Sequence, residues 1–282
     1  MEDHRNQFRI GIMARVLGVS RSGYYTWRKR GKSKAATAND QLLVDLRQSF
    51  EQSRGTYGSP RITADLKSLG IRCSENRVAR LMNVNGIAVK QRRRFKITTD
   101  SRHNHPVAAN LLQQNFSVDR PNKVWVSDIT YIQSLYGWQY LALVEDLYSR
   151  KTVGWAVSDR LKQELVLEAL NRAVKQRNPE EGLIVHSDRG VQYAADRFRH
   201  LLQQHGFKQS MSEKGNCYDN AVAESMFATL KKEIINFGKF GTLEETKSLI
   251  FEYLEVFYNR KRKHSTLGYL SPEEYEKTKI IS

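Results

Sequence analysis

Apolar residues recur at helical spacing through the first third of the chain and at strand spacing through the middle. Met13, Val16 and Leu17 predict a short helix, Gly18 a tight turn, and Ser20 the cap of a second helix reaching Trp27. A longer helix carries Leu42, Leu43, Leu46 and Phe50 and ends in the turn-rich stretch 55–60. Ile62, Leu66 and Leu69 form the next helix, stopped by Gly70, and Val78, Leu81 and Met82 the one after it, capped by Ser74 and stopped by Gly86. Helix, glycine turn and capped helix make a helix-turn-helix pattern. Residues 96–118 show little periodicity and read as a linker.

From residue 119 the period changes. The alternating, β-branched stretch 124–132 predicts a strand, and further strands follow at 139–145 and 152–157. A helix over about 162–176 buries Leu165, Val166, Leu170, Ala173 and Val174. A short strand at 183–186, a helix near 194–205, a strand near 207–211 and further helices complete the pattern. Strands first, then alternating helices and strands, give an α/β unit with a mixed five-stranded sheet, preceded by small all-α modules.

Charge separates the same two regions. The chain has 46 Lys and Arg against 30 Asp and Glu, a formal +16. Residues 1–120 carry 23 basic and 9 acidic side chains, whereas 121–282 carry 23 and 21. A basic front attached to a near-neutral body predicts a nucleic-acid partner for the front. Arg72, Arg77 and Arg80 load the second helix of the pattern, and Arg92, Arg93 and Arg94 form either a flexible phosphate-binding run or a solubilising one. Arg260, Lys261, Arg262 and Lys263 follow a helix, as favourable charge at its C-terminus or as a second DNA track.

Several classes are excluded. No run of about eighteen apolar residues predicts a membrane span, and the polar start 1–5 predicts no signal peptide. Cys73 and Cys217 are too few for a disulfide framework and stand too far apart for a His-Cys zinc module. The cytosol is the expected compartment.

Three carboxylates stand out by context. Asp128 lies mid-strand, Asp188 closes the short strand at 183–186 before the turn at Gly190, and Glu224 opens a helix whose apolar side is Ala221, Val222, Met226 and Phe227. Acids from two strands and a helix can hold a pair of divalent cations for phosphoryl chemistry. Spacing alone leaves open that Asp128 is a strand-edge residue and Glu224 an exposed helix residue.

The flanking residues narrow this. Trp125-Val126-Ser127-Asp128-Ile129-Thr130-Tyr131-Ile132, His186-Ser187-Asp188-Arg189-Gly190-Val191-Gln192-Tyr193 and Gly215-Asn216-Cys217-Tyr218-Asp219-Asn220-Ala221-Val222-Ala223-Glu224-Ser225 resemble the blocks of DDE transposases. The nearest resemblance is to the OrfB product of the bacterial IS-three insertion sequences, relatives of retroviral integrases, and it runs from about residue 16 to 275. It implies a ribonuclease-H-like integrase core, a site of Asp128, Asp188 and Glu224 holding two Mg²⁺ or Mn²⁺ ions, and DNA cleavage with strand transfer. The family's basic residue falls on Lys231, two turns after Glu224 on one helix, where it either meets a DNA phosphate or is a solvated surface residue. Expected partners are double-stranded DNA (element ends and target) and further copies of the chain on that DNA.

The expected organisation is a helix-turn-helix-like segment with a basic linker (1–35), a helix-turn-helix DNA-binding domain (40–95), a linker (96–118), and the catalytic core with C-terminal helices (119–282). In the family this chain resembles, a smaller upstream frame supplies a helix-turn-helix and a leucine-zipper segment, often fused to this part. No sustained heptad is present here, so the resemblance implies that end recognition and dimerisation lie partly in such an upstream-frame protein, separate or fused. A metal nuclease without joining activity and a non-catalytic repressor remain alternatives. Asp146, at the end of the second strand, reads as a structural or solvated acid rather than a ligand. His186, two places before Asp188, either orients that carboxylate or a phosphate, or is structural.

Overall fold

The computed structural model describes residues 1–89, 107–213 and 221–280. The chain divides into two compact units, Met1–Ala88 and Val89–Ser282. The run Arg92–Arg94 lies outside the described residues.

In the first unit, serine caps set the helix starts. Helix α1 (Ile10–Val16) is followed by α2 (Arg21–Lys29), whose cap Ser20 accepts from the Gly23 amide at 2.9 Å. Ser33 caps α3 (Lys34–Gln52), and Ser74 caps α5 (Glu75–Val84) after α4 (Ser59–Ser68). Each such hydroxyl satisfies an amide that the helix leaves without a partner. Gly70, just past α4, takes φ +80°, a conformation that costs an L side chain energy. Leu42, Leu46, Ile62, Leu66, Val78, Leu81 and Met82 are buried as the periodicity predicts. Val16, Leu17 and Leu69 depart from it: they are 79%, 59% and 68% exposed. α1 buries only Met13 and Ala14; Val16 is its last residue and Leu17 its C-cap, at the end of the helix.

The second unit is built on a five-stranded sheet. Its strands are β1 (Val124–Ser134), β2 (Gly137–Asp146), β3 (Lys151–Ser158), β4 (Ile184–Ser187) and β5 (Lys208–Met211). Their order is β3-β2-β1-β4-β5. β2 pairs antiparallel with β1 and β3, while β4 pairs parallel with β1 and β5. Helices α6 (Gln163–Arg177), α7 (Val191–Ala194) and α8 (Asp196–Gln204) supply the crossovers. Trp125, Val153, Leu165, Leu170, Phe198 and Phe207 belong to the core on one face of the sheet. Gly154 allows α6 its close approach there, because a Cβ would lie 2.3 Å from the Ala169 carbonyl oxygen.

On the other face, Val124 and Val126 pack with Val222 and Ala223 of α9 (Ala221–Leu230). α9 runs on into a π-helical segment, Lys231–Ile235. Then follow α10 (Leu243–Phe251), a second π segment (Glu252–Tyr258) and α11 (Pro272–Ile280). Asn259 serves β3, the outer strand: its Oδ1 accepts from the Thr152 amide and its Nδ2 donates to the Thr152 carbonyl, both at 2.9 Å.

Asp146 is a structural acid, fully buried. It accepts from the Asn122 amide at 2.8 Å and the Tyr148 amide at 3.0 Å, and pairs with Arg177 at 3.5 Å. Arg177 also grips Glu276 of α11 through two bonds of 2.9 Å, which ties the C-terminal helix to α6.

Candidate active site

Alternation along β1 decides where Asp128 points. Trp125 and Ile129 belong to the core under α6, so Val124, Val126 and Asp128 share the opposite face. That face is the one α9 covers, and α9 carries Glu224, an exposed residue. The parallel register sets Ser127 opposite Ser187, which brings Asp188, the next residue after β4, beside Asp128. Sixty positions of sequence separation are closed by one strand pairing.

Each of the two carboxylates has a local hydrogen bond. Asp128 Oδ1 accepts from the Ile129 amide at 2.7 Å, and Asp188 Oδ1 from the Gly190 amide at 2.9 Å. A Cβ at residue 190 would come within 2.9 Å of Asp188 Oδ1 and would displace that carboxylate. Beneath the pair, the Ser127 hydroxyl donates to the Leu143 carbonyl at 2.8 Å and shares a 2.9 Å bond with the buried Tyr193 hydroxyl. His186 is fully buried, with Nδ1 2.8 Å from Ser210 Oγ and Nε2 3.2 Å from Ser212 Oγ. Through these two serines it links the ends of β4 and β5.

Electrostatics mark the spot. Burial, then the charge of Asp188, pushes the Asp128 carboxyl up from 3.8 to about 8, and Glu224 adds to the rise. The Ile129 amide and the Lys231 ammonium pull the other way. A carboxylate whose proton affinity is raised by a neighbouring carboxylate is a place where a cation would lower the energy. Among the described residues, no three His, Cys, Asp or Glu side chains stand close enough to hold one ion as placed. Asp128 and Asp188 form the pair, and Glu224 stands back from it on α9.

Lys231 is half-buried at the first position of the π segment, and Lys232 is exposed. The helix is thus not a regular α-helix through both Glu224 and Lys231; it widens after Leu230.

The remaining basic residues fall differently from their sequence pattern. Arg80 is exposed on α5, whereas Arg72 lies in the turn before it, also exposed. Arg77 is half-buried and donates to Asn39 of α3 at 2.8 Å. The run at 260–263 is not one exposed track. Arg260 and Lys261 face solvent, but Lys263 is buried and Arg262 is 3% exposed. The Glu233 carboxylate lies 2.6 Å from Arg262 Nη2 and offsets the burial of that charge. A charge run shows no sign of this in sequence, because the partner is 29 positions away.

Among the described residues no helix is long and apolar enough to cross a membrane. The mixed sheet, with Asp128 within β1 beside Asp188 just past the end of β4 and α9 across the same face, is a core of the integrase type. Residues 118–217 and 224–280 match integrase core domain families, and residues 37–95 match an HTH-like domain family. The chain is 44% identical over 263 residues to the insertion element IS600 31 kDa protein of Shigella sonnei, covering 93% of this chain and 97% of that protein. It is 40% identical over 278 residues to the transposase InsF for insertion sequence IS3A of Escherichia coli K12, covering 98% and 96%. Among solved structures, the catalytic core domain of BIV integrase is similar at TM-score 0.44 and 19% identity, over 57% of this chain and 97% of that one. The HTLV-2 integrase catalytic core domain in complex with magnesium is similar at TM-score 0.43 and 13% identity, over 56% and 97%. The chain belongs to the IS3 family of insertion-sequence transposases. It is accordingly an enzyme of the polynucleotidyl transferase kind, and a nuclease or repressor reading has no support.

Proposed function

We propose that the chain cuts and joins DNA strands at a divalent-metal site formed by Asp128, Asp188 and Glu224. The observation that carries this is the Asp128–Asp188 pair on neighbouring parallel strands, with the Asp128 carboxyl pushed up to about 8 and Lys231 close enough to oppose the rise. The donors are all carboxylate oxygens, which suit Mg²⁺ or Mn²⁺. Two such ions would neutralise charge on the scissile phosphate and favour ionisation of the attacking hydroxyl.

The chain's own residues orient the reaction. Asp128 and Asp188 are fixed to the sheet and define one side of the site, while Glu224 closes it from α9. Lys231 offers an ammonium to a phosphate of the bound strand. No side chain is needed as a covalent nucleophile, because a DNA 3′-hydroxyl or water attacks in line.

DNA binding is assigned to the helix-turn-helix region 40–95 through Arg72, Arg77 and Arg80, assisted by 1–35. Arg92, Arg93 and Arg94, just ahead of the linker 96–118, would follow the backbone, and Arg260 and Lys261 would add a contact on the core, 119–282. Assembly of several copies on double-stranded DNA in the cytoplasm completes the proposal, with or without an upstream-frame partner. The test is incubation of purified protein with labelled element ends in Mg²⁺ or EDTA. Asp128→Asn, Asp188→Asn and Glu224→Gln should each abolish cleavage and joining while DNA affinity survives. Cleavage in EDTA, or near wild-type cleavage by any of the three, would remove that assignment.

A further inference from the structure

The C-terminal part of the chain reaches back to the helix that carries Glu224. Glu233 lies in the π segment that continues α9, nine positions after Glu224. Its carboxylate accepts from Arg262 Nε at 2.9 and 3.1 Å and from Arg262 Nη2 at 2.6 Å, and from the Tyr253 hydroxyl at 2.8 Å. Arg262 also lies 5.6 Å above the Tyr258 ring. The exposures are 3% for Arg262 and 1% for Tyr253, and the Glu233 side chain is 8% exposed, so the charged pair is largely buried.

The far side of this cluster is fastened to the sheet. Asn259 makes its two bonds to Thr152 of β3, and Glu255 accepts from Trp155 Nε1 at 3.0 Å. Beyond the π segment, the Leu135 amide donates to the Phe240 carbonyl at 2.9 Å, and Gln139 Nε2 donates to the Gly241 carbonyl at 3.1 Å. The catalytic helix is therefore anchored at its C-terminal end, through Glu233, to strands of the sheet that holds Asp128.

Stability alone does not call for an ion pair here. A buried salt bridge is often no better than apolar groups of the same volume. What a guanidinium fork on a carboxylate adds is direction. Direction matters because Glu224 and Lys231 must both face Asp128, and each residue of helix rotation turns a side chain by about 100°.

We propose that Glu233 and Arg262 are positioning residues, a buried directional pair that sets the rotation of the Glu224 helix over Asp128. This rests on the acid site of the preceding section, yet one readout stands apart from it. Three variants of the full chain make the test: Glu233→Gln, Arg262→Lys, and the apolar double substitution Glu233→Leu with Arg262→Met. Measured on each are thermal melting, amide hydrogen exchange across 224–235 without metal, and the Mn²⁺ concentration giving half-maximal cleavage of labelled DNA.

The double variant should melt close to wild type, exchange about tenfold faster across 224–235, and need roughly 10- to 100-fold more Mn²⁺. Arg262→Lys should fall between the two, since it keeps charge but loses the fork. Wild-type exchange and wild-type Mn²⁺ demand in a well-folded double variant would overturn the proposal. So would losses that merely track melting temperature across the series. If the double variant does not fold, the two single variants decide by the same comparisons. Absence of cleavage by the wild type would refute the acid-site reading, and the exchange data would still judge the positioning role.

Discussion

Replacing Asp128 with asparagine changes the electrostatics of the acid pair while keeping its shape. Without metal, burial and Asp188 hold the Asp128 carboxyl at about 8 against an ordinary 3.8. Across that interval the folded state keeps a proton that the unfolded chain has lost. The stability Asp128 contributes is complete below its unfolded value and disappears as pH rises through 8. A rise from 3.8 to about 8, at ~1.36 kcal/mol per unit, sets a ceiling of about 6 kcal/mol. Asp128 itself is only half-buried, so solvent screening reduces the expected cost to about 3 kcal/mol. For a unit the size of Val89–Ser282 this corresponds to ~6–12 °C in melting temperature. Asparagine cannot ionise, so in EDTA near pH ~9 Asp128→Asn should melt that much higher than wild type, and within a few degrees of it near pH ~5. Glu145, also pushed up to about 8 by burial, contributes equally to both proteins, so the difference between the curves reports the Asp128–Asp188 pair. Millimolar Mg²⁺ should restore the wild type at high pH and leave the variant unchanged. Calorimetric melts across this pH range are the assay. Parallel curves for the two proteins would refute the electrostatic reading of the pair.

Three further outcomes can be checked. Gly190→Ala would press a Cβ to 2.9 Å from Asp188 Oδ1, so Mn²⁺ affinity measured by titration calorimetry should drop about tenfold with the fold intact, and unchanged affinity would contradict the crowding argument. Lys231→Ala should lower strand joining far more than Lys232→Ala, which removes an exposed charge; equal losses would reduce Lys231 to bulk charge. If 6–10 phosphates are neutralised, duplex affinity should fall by roughly 10³–10⁵ between 50 and 200 mM salt. Arg72→Ala and Arg80→Ala should each reduce the logarithmic salt slope by about 1, whereas buried Arg262→Lys should leave it unchanged.

The elements themselves were legible in the sequence because their causes are local. Ser20 and Ser74 start helices by bonding amides three residues on, and Gly70 ends one by taking positive φ. The alternation around Asp128 fixes a strand, and the carboxylates stand out through the residues beside them. Even there the short range of the argument shows: Val16, Leu17 and Leu69 fit a helical stripe and are exposed, because burial depends on what packs against it.

What only the tertiary structure decided is which distant residues meet. Parallel pairing of β1 with β4 brings Asp188 to Asp128, and no local propensity specifies that register. Asp146, which the sequence leaves as either a structural or a solvated acid, is buried against Arg177 and backbone amides. The run 260–263 looks uniform in sequence, yet a carboxylate 29 positions upstream draws Arg262 into the interior and leaves Arg260 and Lys261 in solvent. The physical reason is common to all three. Periodicity and capping act over one or two turns, whereas pairing, burial of charge and the pKa of a carboxyl depend on groups that only the folded chain brings together.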